Sequence, residues 1–185
     1  LEKLEFLPGV FRNLYRIGKQ MDFELVIVSN QDGLGSTNHP EAEFNKVQAK
    51  MLQAFKNEDI EFDRIHVDRS MPEDNLPTRK PGLGMLSEYL TGNYDLTHSF
   101  VIGDRLTDIE LARNLGAKGI LLSNNIKLKD IQAAGVEQNC LFIAEEWEQI
   151  YDFLRKNERS AVTERMTGET SIHAELSLDG TGRSD

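Results

Sequence analysis

The sequence predicts an α/β fold of three layers, with a mostly parallel sheet flanked on both faces by helices. Three observations predict it. Short apolar runs recur at 23–28, 62–67, 99–102, 119–122 and 141–143. The segments between them carry apolar residues at three- and four-residue spacing, the period of an amphipathic helix. The runs are also too uniformly apolar for strands with one wet face, as expected of strands covered on both sides by crossover helices.

The first helix is predicted from about Pro8 to Gln20, with Val10, Leu14, Ile17 and Met21 as its apolar face, and the strand Phe23 to Val28 follows. A second helix begins near Pro40, with Glu41 in its first turn as helix starts prefer, and is expected to bury Phe44, Val47, Met51 and Phe55. Phe62 to Val67 is the next strand. A Pro-rich loop from Ser70 to Pro81 leads into a short helix carrying Leu83, Leu86 and Leu90. Then come the strand Ser99 to Ile102, a helix Leu106 to Leu115, the strand Gly119 to Leu122, a short helix Leu128 to Ala134, the strand Leu141 to Ile143 and a final helix Trp147 to Leu154.

Past Lys156 the pattern changes. Ile172, Ala174, Leu176 and Leu178 alternate with Ser171, His173, Glu175 and Ser177, which is a half-buried strand with no evident partner. A domain boundary is therefore expected near Asn157, separating residues 1–157 from a second unit that starts at 158–185. That second segment is expected to add nothing to the first unit, and to be disordered or engaged with a neighbouring chain.

Bulk properties narrow the function classes. With 39% apolar and 28% charged residues over 185 positions, the chain is an ordinary globular domain. No apolar run approaches the roughly 18 residues of a membrane span, and Leu-Glu-Lys-Leu-Glu at the start is unlike a secretory leader, so a cytoplasmic protein is expected. A net charge of -10 argues against non-specific binding to nucleic acid or an anionic membrane. The single cysteine, Cys140, excludes an internal disulfide and any multi-cysteine zinc cluster within these residues, and its strand context reads as a buried structural thiol.

In open α/β sheets ligands bind beyond the carboxyl ends of the strands. Three such regions carry candidate chemistry. In Ser29-Asn30-Gln31-Asp32-Gly33-Leu34-Gly35, a hydroxyl, an amide and flexible backbone follow a strand and can hold a phosphate; the same residues also suit a plain turn. In Arg79-Lys80-Pro81, Lys80 can neutralise a phosphoryl group, or be a solvated lysine. In Gly103-Asp104-Arg105-Leu106-Thr107-Asp108, two carboxylates straddle a strand end and a helix start, which fits either a cation site or helix capping with Asp104 as the cap.

Taken in order, these segments resemble the second, third and fourth motifs of the haloacid dehalogenase superfamily, a Rossmann-like three-layer fold. Their wording is similar to the histidinol-phosphatase branch, whose near relatives are the heptose-bisphosphate phosphatases. The segments Arg165 to Ile172 and Leu178 to Gly182 resemble the opening strands of imidazoleglycerol-phosphate dehydratase, and a phosphatase joined to that dehydratase is the pattern of the bifunctional histidine-biosynthesis enzymes. The resemblance covers essentially the whole chain.

It implies a magnesium-dependent phosphatase that hydrolyses L-histidinol phosphate, a small phosphorylated substrate, through an aspartyl-phosphate. Ser29 and Asn30 would bind the phosphoryl group, Lys80 would neutralise it, Asp104 would ligate Mg²⁺ with Asp108 as supporting acid, and Arg79 and Arg105 would be further substrate contacts. The dehydratase segment would offer a route to self-association.

Two departures from the family pattern stand out. The family places its nucleophile and its general acid/base in an Asp-x-Asp-Gly-Thr segment on a first strand, and no Asp-x-Asp occurs in this sequence. The chain is therefore expected to be a fragment without its first strand, and inactive alone. Many relatives also carry cysteine and histidine zinc ligands before Arg-Lys-Pro, whereas Ser70 to Thr78 holds neither; no zinc is expected, with Pro72 and Pro77 closing the loop. A heptose-bisphosphate phosphatase, and a non-catalytic receiver-like or scaffolding domain whose acids cap helices, stay open as alternatives.

Overall fold

The computed structural model describes residues 4–158, 160–166 and 171–177, with side chains through Asn157. Five strands, parallel within each of two sheets, form the middle layer. β1 (Val26–Asn30) pairs with β2 (Arg64–Asp68), and β4 (Lys118–Leu122) lies between β3 (Phe100–Gly103) and β5 (Cys140–Ala144). Among the described residues no backbone ladder joins β1 to β3.

The helices α1 (Val10–Gln20), α2 (Glu41–Asn57), α3 (Leu106–Leu115), α4 (Leu128–Ala133) and α5 (Trp147–Glu158) alternate with the strands. Their local signals are ordinary ones. Glu41 and Glu43 face the positive start of α2 and Lys56 its end, while α3 has Asp108 in its first turn and stops at Gly116, whose φ of 79° suits glycine.

Two apolar clusters make the layers. On one face Ile17 of α1 and Ile150, Tyr151 and Leu154 of α5 pack against Ile120, with Leu25, Phe100 and Ile102 around them. On the other face Leu86, Tyr89 and Leu111 pack against Val26 and Val28 of β1 and Val101 of β3. The two strand sets thus share both cores although their backbones do not pair. Next to them Leu121 meets Ile109 of α3 and Ile131 of α4.

Several elements differ from the sequence expectation. β1 starts at Val26 rather than Phe23, because the Leu25 N–H is taken by the Asp63 carboxylate and Phe23 turns into the core against Phe100, ring centroids 5.8 Å apart. In α2 only Phe55 is fully buried, within an aromatic group with Phe6, Phe11 and Phe62; Phe44, Val47 and Met51 are half-buried.

The segment Gly84–Thr91 is a 3-10 helix with a break at Leu86. Three-residue periodicity puts Leu86 and Tyr89 on one face and leaves Leu90 49% exposed. Cys140 is half-buried, and burial pushes its thiol up, away from the reactive thiolate.

The strand expected near 172–178 does have a partner. β6 (Ser160–Met166) pairs antiparallel with β7 (Ser171–Ser177), Ser160 opposite Ser177 and Met166 opposite Ser171. Burial of Ile172, Ala174, Leu176 and Leu178 lies outside the described side chains.

Leu121 is 0% exposed and Leu128 58% exposed. Leu121→Ala is expected to cost about 2–5 kcal/mol in chemical denaturation, the range for a large-to-small change in a packed core. Leu128→Ala should stay within about 0.5 kcal/mol. Equal effects would show that the Ile109–Leu121–Ile131 cluster is not part of the cooperative core.

Candidate active site at the strand ends

The three segments singled out above meet around the carboxyl ends of β1, β2 and β3. Lys80 is the link. Its Nζ donates to the Val28 carbonyl at 2.9 Å and to Asp108 Oδ1 at 2.8 Å. The Lys80 and Asp108 side chains are only 17% and 7% exposed. An ammonium has three donors, so one is left for an anion.

Backbone contacts hold the same lysine. Asn30 Nδ2 donates to the Lys80 carbonyl at 3.2 Å, and the Lys80 N–H donates to Asn30 Oδ1 at 3.0 Å. Asn30, expected to meet the phosphate directly, is thereby engaged with the backbone of Lys80. Ser29 Oγ accepts from Gln31 Nε2 at 2.7 Å, which leaves its own proton available to an acceptor.

Asp108 works in two directions. Its second oxygen, Oδ2, accepts the Arg105 N–H at 3.2 Å and so caps the start of α3, while the Asp108 N–H returns to the Arg105 carbonyl at 3.0 Å. The cap position of α3 is Arg105, not Asp104. Gly103 makes room for this arrangement, because a side chain there would run into the Asp108 carboxylate.

Asp104 and Arg105 are exposed, and neither side chain has a hydrogen-bond or ion-pair partner among the described residues. Arg79 is the opposite case, 17% exposed, with its guanidinium donating to Asp32 Oδ1 at 2.8 Å and to the Ser70 carbonyl at 2.9 Å.

The loop before Arg79 is not closed by its prolines alone, as the sequence had implied. Pro72 opens a 3-10 turn, and Pro77 lies against Gly82 and Gly84, where no side chain would fit. Closure across the loop comes from Asp68, the last residue of β2, whose carboxylate accepts from Ser70 N–H at 2.9 Å, from Ser70 Oγ and from Thr78 Oγ1 at 2.6 Å. Burial pushes the Asp68 carboxyl up, but the bonds from Ser70 and Thr78 and the charge of Arg79 outweigh it and hold Asp68 below its ordinary value. Asp68, Ser70, Thr78, Asp32 and Gly103 were all missed as site residues. The signal for Asp68 was present, since it directly follows the apolar run 62–67.

Among the described residues no three His, Cys, Asp or Glu side chains gather as a complete metal cage. A magnesium ion does not need one, because it keeps several waters and binds through one or two carboxylates plus substrate phosphate. Asp104, exposed and uncommitted at a strand end, fits that mode. Asp108 does not fit as a direct ligand, with one oxygen on Lys80 and the other on the α3 start.

Gly103→Ala tests how tightly these parts interlock. The added methyl is expected to displace the Asp108 side chain and to destabilise the chain by about 1–3 kcal/mol in urea or guanidinium unfolding, the usual cost of overpacking. An effect below about 0.5 kcal/mol would mean that Asp108 is not held where the structure puts it.

A family model described as HAD-hydrolase-like matches residues 77–143. The Histidine biosynthesis bifunctional protein HisB of Spirosoma linguale is 46% identical over 192 residues, covering 100% of this chain and 50% of that protein. The protein of the same name from Bacteroides fragilis is 48% identical over 186 residues, covering 100% of this chain and 49% of that protein. This chain thus spans about half the length of the curated relatives it matches. Among solved structures, a D,D-heptose 1,7-bisphosphate phosphatase from B. bronchiseptica, crystallised with magnesium and phosphate, superimposes with a TM-score of 0.69 at 25% identity, covering 82% of this chain and 84% of that one. The family match runs from the loop that carries Lys80 into β5, and the structural likeness extends over most of both chains, so this chain shares the fold of that phosphatase.

Proposed function

We propose that this chain is the phosphatase part of a bifunctional histidine-biosynthesis protein, hydrolysing L-histidinol phosphate to L-histidinol and phosphate. One observation carries the reading: the Lys80 ammonium, enclosed between the end of β1 and the start of α3, retains a donor after binding Val28 and Asp108. A buried and oriented cation of this kind suits the charge that accumulates on a phosphoryl group in transfer. The substrate assignment rests on the names of the relatives, which call them bifunctional proteins of histidine biosynthesis.

In this reading Ser29 Oγ–H donates to a phosphoryl oxygen and Lys80 balances its charge. Asn30 acts through Lys80, by fixing its backbone. Arg105 meets the outer part of the anion, and Arg79 shapes the substrate side of the cleft. Asp104 holds Mg²⁺, which when bound polarises the phosphoryl group. Asp108 supports the centre by holding Lys80. Covalent attack to form an aspartyl-phosphate, and the general acid/base step, are assigned to aspartates that these 185 residues do not contain.

Residues 158–185 are assigned to the beginning of a dehydratase unit, with residues 1–157 as the phosphatase unit. That unit would also be where self-association occurs. Support comes from the relatives' bifunctional names and from the half-length coverage. A cytoplasmic setting belongs to the same reading; no helix among the described residues is long and apolar enough to cross a membrane. The heptose-bisphosphate phosphatase stands as a second reading because a protein of that name shares the fold. Turnover of the two phosphates by the full-length gene product separates them, and preference for the heptose bisphosphate would overturn the first.

In that gene product Lys80→Ala and Asp104→Asn are each expected to lower turnover of histidinol phosphate by about 10²-fold or more, the scale for one preorganised electrostatic contact. A change under about threefold would remove the residue from the centre. Asp104→Asn should leave unfolding of the chain unchanged, since the side chain makes no contact that stabilises the fold.

Chelation is expected to abolish activity and magnesium alone to restore it, while metal analysis of the purified protein finds no stoichiometric zinc. One tightly held zinc per chain would show that the loop from Ser70 to Pro81 is organised by a metal rather than by Asp68.

A further inference from the structure

We infer that Asp68 is a positioning residue for the substrate side of this cleft, acting as a carboxylate staple that holds the loop 69–79 closed and so sets the place of Arg79. The inference rests on the phosphatase reading for its effect on catalysis, but not for its effect on the loop.

Asp68 is 4% exposed and lies in register beside Asn30, at the paired ends of β2 and β1. These two neighbouring side chains grip one short segment at alternate residues. Asp68 takes the Thr78 hydroxyl, and Asn30 takes the backbone of Lys80 on both its N–H and its carbonyl. Asp68 also takes the N–H and hydroxyl of Ser70, at the other end of the loop. One buried carboxylate thereby ties together two positions of a loop whose other anchors, the Arg69–Glu41 ion pair and the Gly84 N–H on the Pro77 carbonyl, do not join its two ends.

Residues 71–77 are all exposed, including Met71 at 40% and Leu76 at 49%, so apolar burial does not keep this loop in place. Arg79 depends on the closure directly. Its guanidinium is held by the Ser70 carbonyl on one side and Asp32 on the other, and Ser70 is where Asp68 holds it. Opening the staple moves one of the two acceptors that orient Arg79. Lys80 is secured separately through Asn30, Val28 and Asp108, and should stay in position.

That division gives a kinetic signature distinct from general loss of structure. Thr78→Val removes one donor with little change of shape. In the full-length gene product it is expected to raise KM for histidinol phosphate about tenfold, with kcat within about threefold, since the lost contact serves binding rather than charge neutralisation. Thr78→Ser should restore KM. In an Arg79→Ala background, Thr78→Val should have no further effect on KM, because the two changes act through the same group.

An activity-independent arm uses amide hydrogen exchange of this chain. Thr78→Val and Asp68→Asn are expected to speed exchange at Ser70 and Arg79 about tenfold or more, leaving β3, β4 and α3 unchanged. Unchanged exchange in both variants would overturn the staple. A KM effect of Thr78→Val as large in the Arg79→Ala background as in the wild type would overturn the route through Arg79. If the gene product fails to hydrolyse histidinol phosphate, the phosphatase reading falls and exchange alone still decides the staple.

Discussion

The ion pair between Lys80 and Asp108 is the constraint on which the rest of the site depends. Both groups are nearly enclosed, and enclosing two charges costs several kcal/mol per ion before their attraction and hydrogen bonds offset it. Such a pair is poor value as a source of stability alone. Its geometric consequence is larger, because Lys80 also donates to Val28 on β1 while Asp108 caps α3 beyond β3. One lysine thus bridges two strand sets that have no ladder between them among the described residues. The apolar cluster of Val26, Val28, Val101 and Leu111 brings the sets together without specifying register, and the directional bonds of Lys80 supply what non-directional packing cannot.

This constraint explains which parts of the molecule could be read from sequence. Strand ends were legible since an uninterrupted apolar run followed by Ser-Asn or Gly-Asp has few other readings in an α/β fold, and α3 has the bounds its periodicity implies. Roles within the site were less legible. Asn30 is expected as a phosphate ligand because an amide at a strand end has free donors; in the structure its oxygen and one of its two N–H groups serve the backbone of a residue 50 positions away. No local pattern encodes that pairing. Asp68 was overlooked for a related reason. An acid next to a strand is usually a solvated side chain, and its three donors come from Ser70 and Thr78, which carry no signal of their own.

The remaining differences have simple physical origins. A helix carrying Leu83, Leu86 and Leu90 suited 3.6-residue periodicity, but Gly82 and Gly84 press against Pro77 and the following turns tighten to three residues, which exchanges Leu90 for Tyr89 in the core. Tyr89 buries its ring beside His66 and Tyr94, and burial together with the charge of Glu88 pushes its hydroxyl up to about 12. Strand β6 was missed because Ser-Ala-Val-Thr-Glu-Arg-Met alternates only weakly; its pairing with β7 satisfies backbone groups whatever its side chains do.

On the proposed phosphatase reading, the charge distribution separates two tasks that an anion site must perform in a chain of net charge -10. At long range the field repels a phosphate, although ionic screening confines that field to about 10 Å at ordinary salt. Within that distance the cations differ in kind. Lys80 and Arg79 are anchored to Asp108 and Asp32, so their charge is largely balanced and their directions fixed. They contribute orientation, which retains its value when water is excluded. Arg105 is exposed and has no partner among the described residues, so its charge is unbalanced and its side chain free to meet an arriving anion. If the site takes a phosphorylated substrate as proposed, removing Arg105 should slow its capture most at low salt, whereas the anchored pair would govern what happens after capture, where added salt has little access.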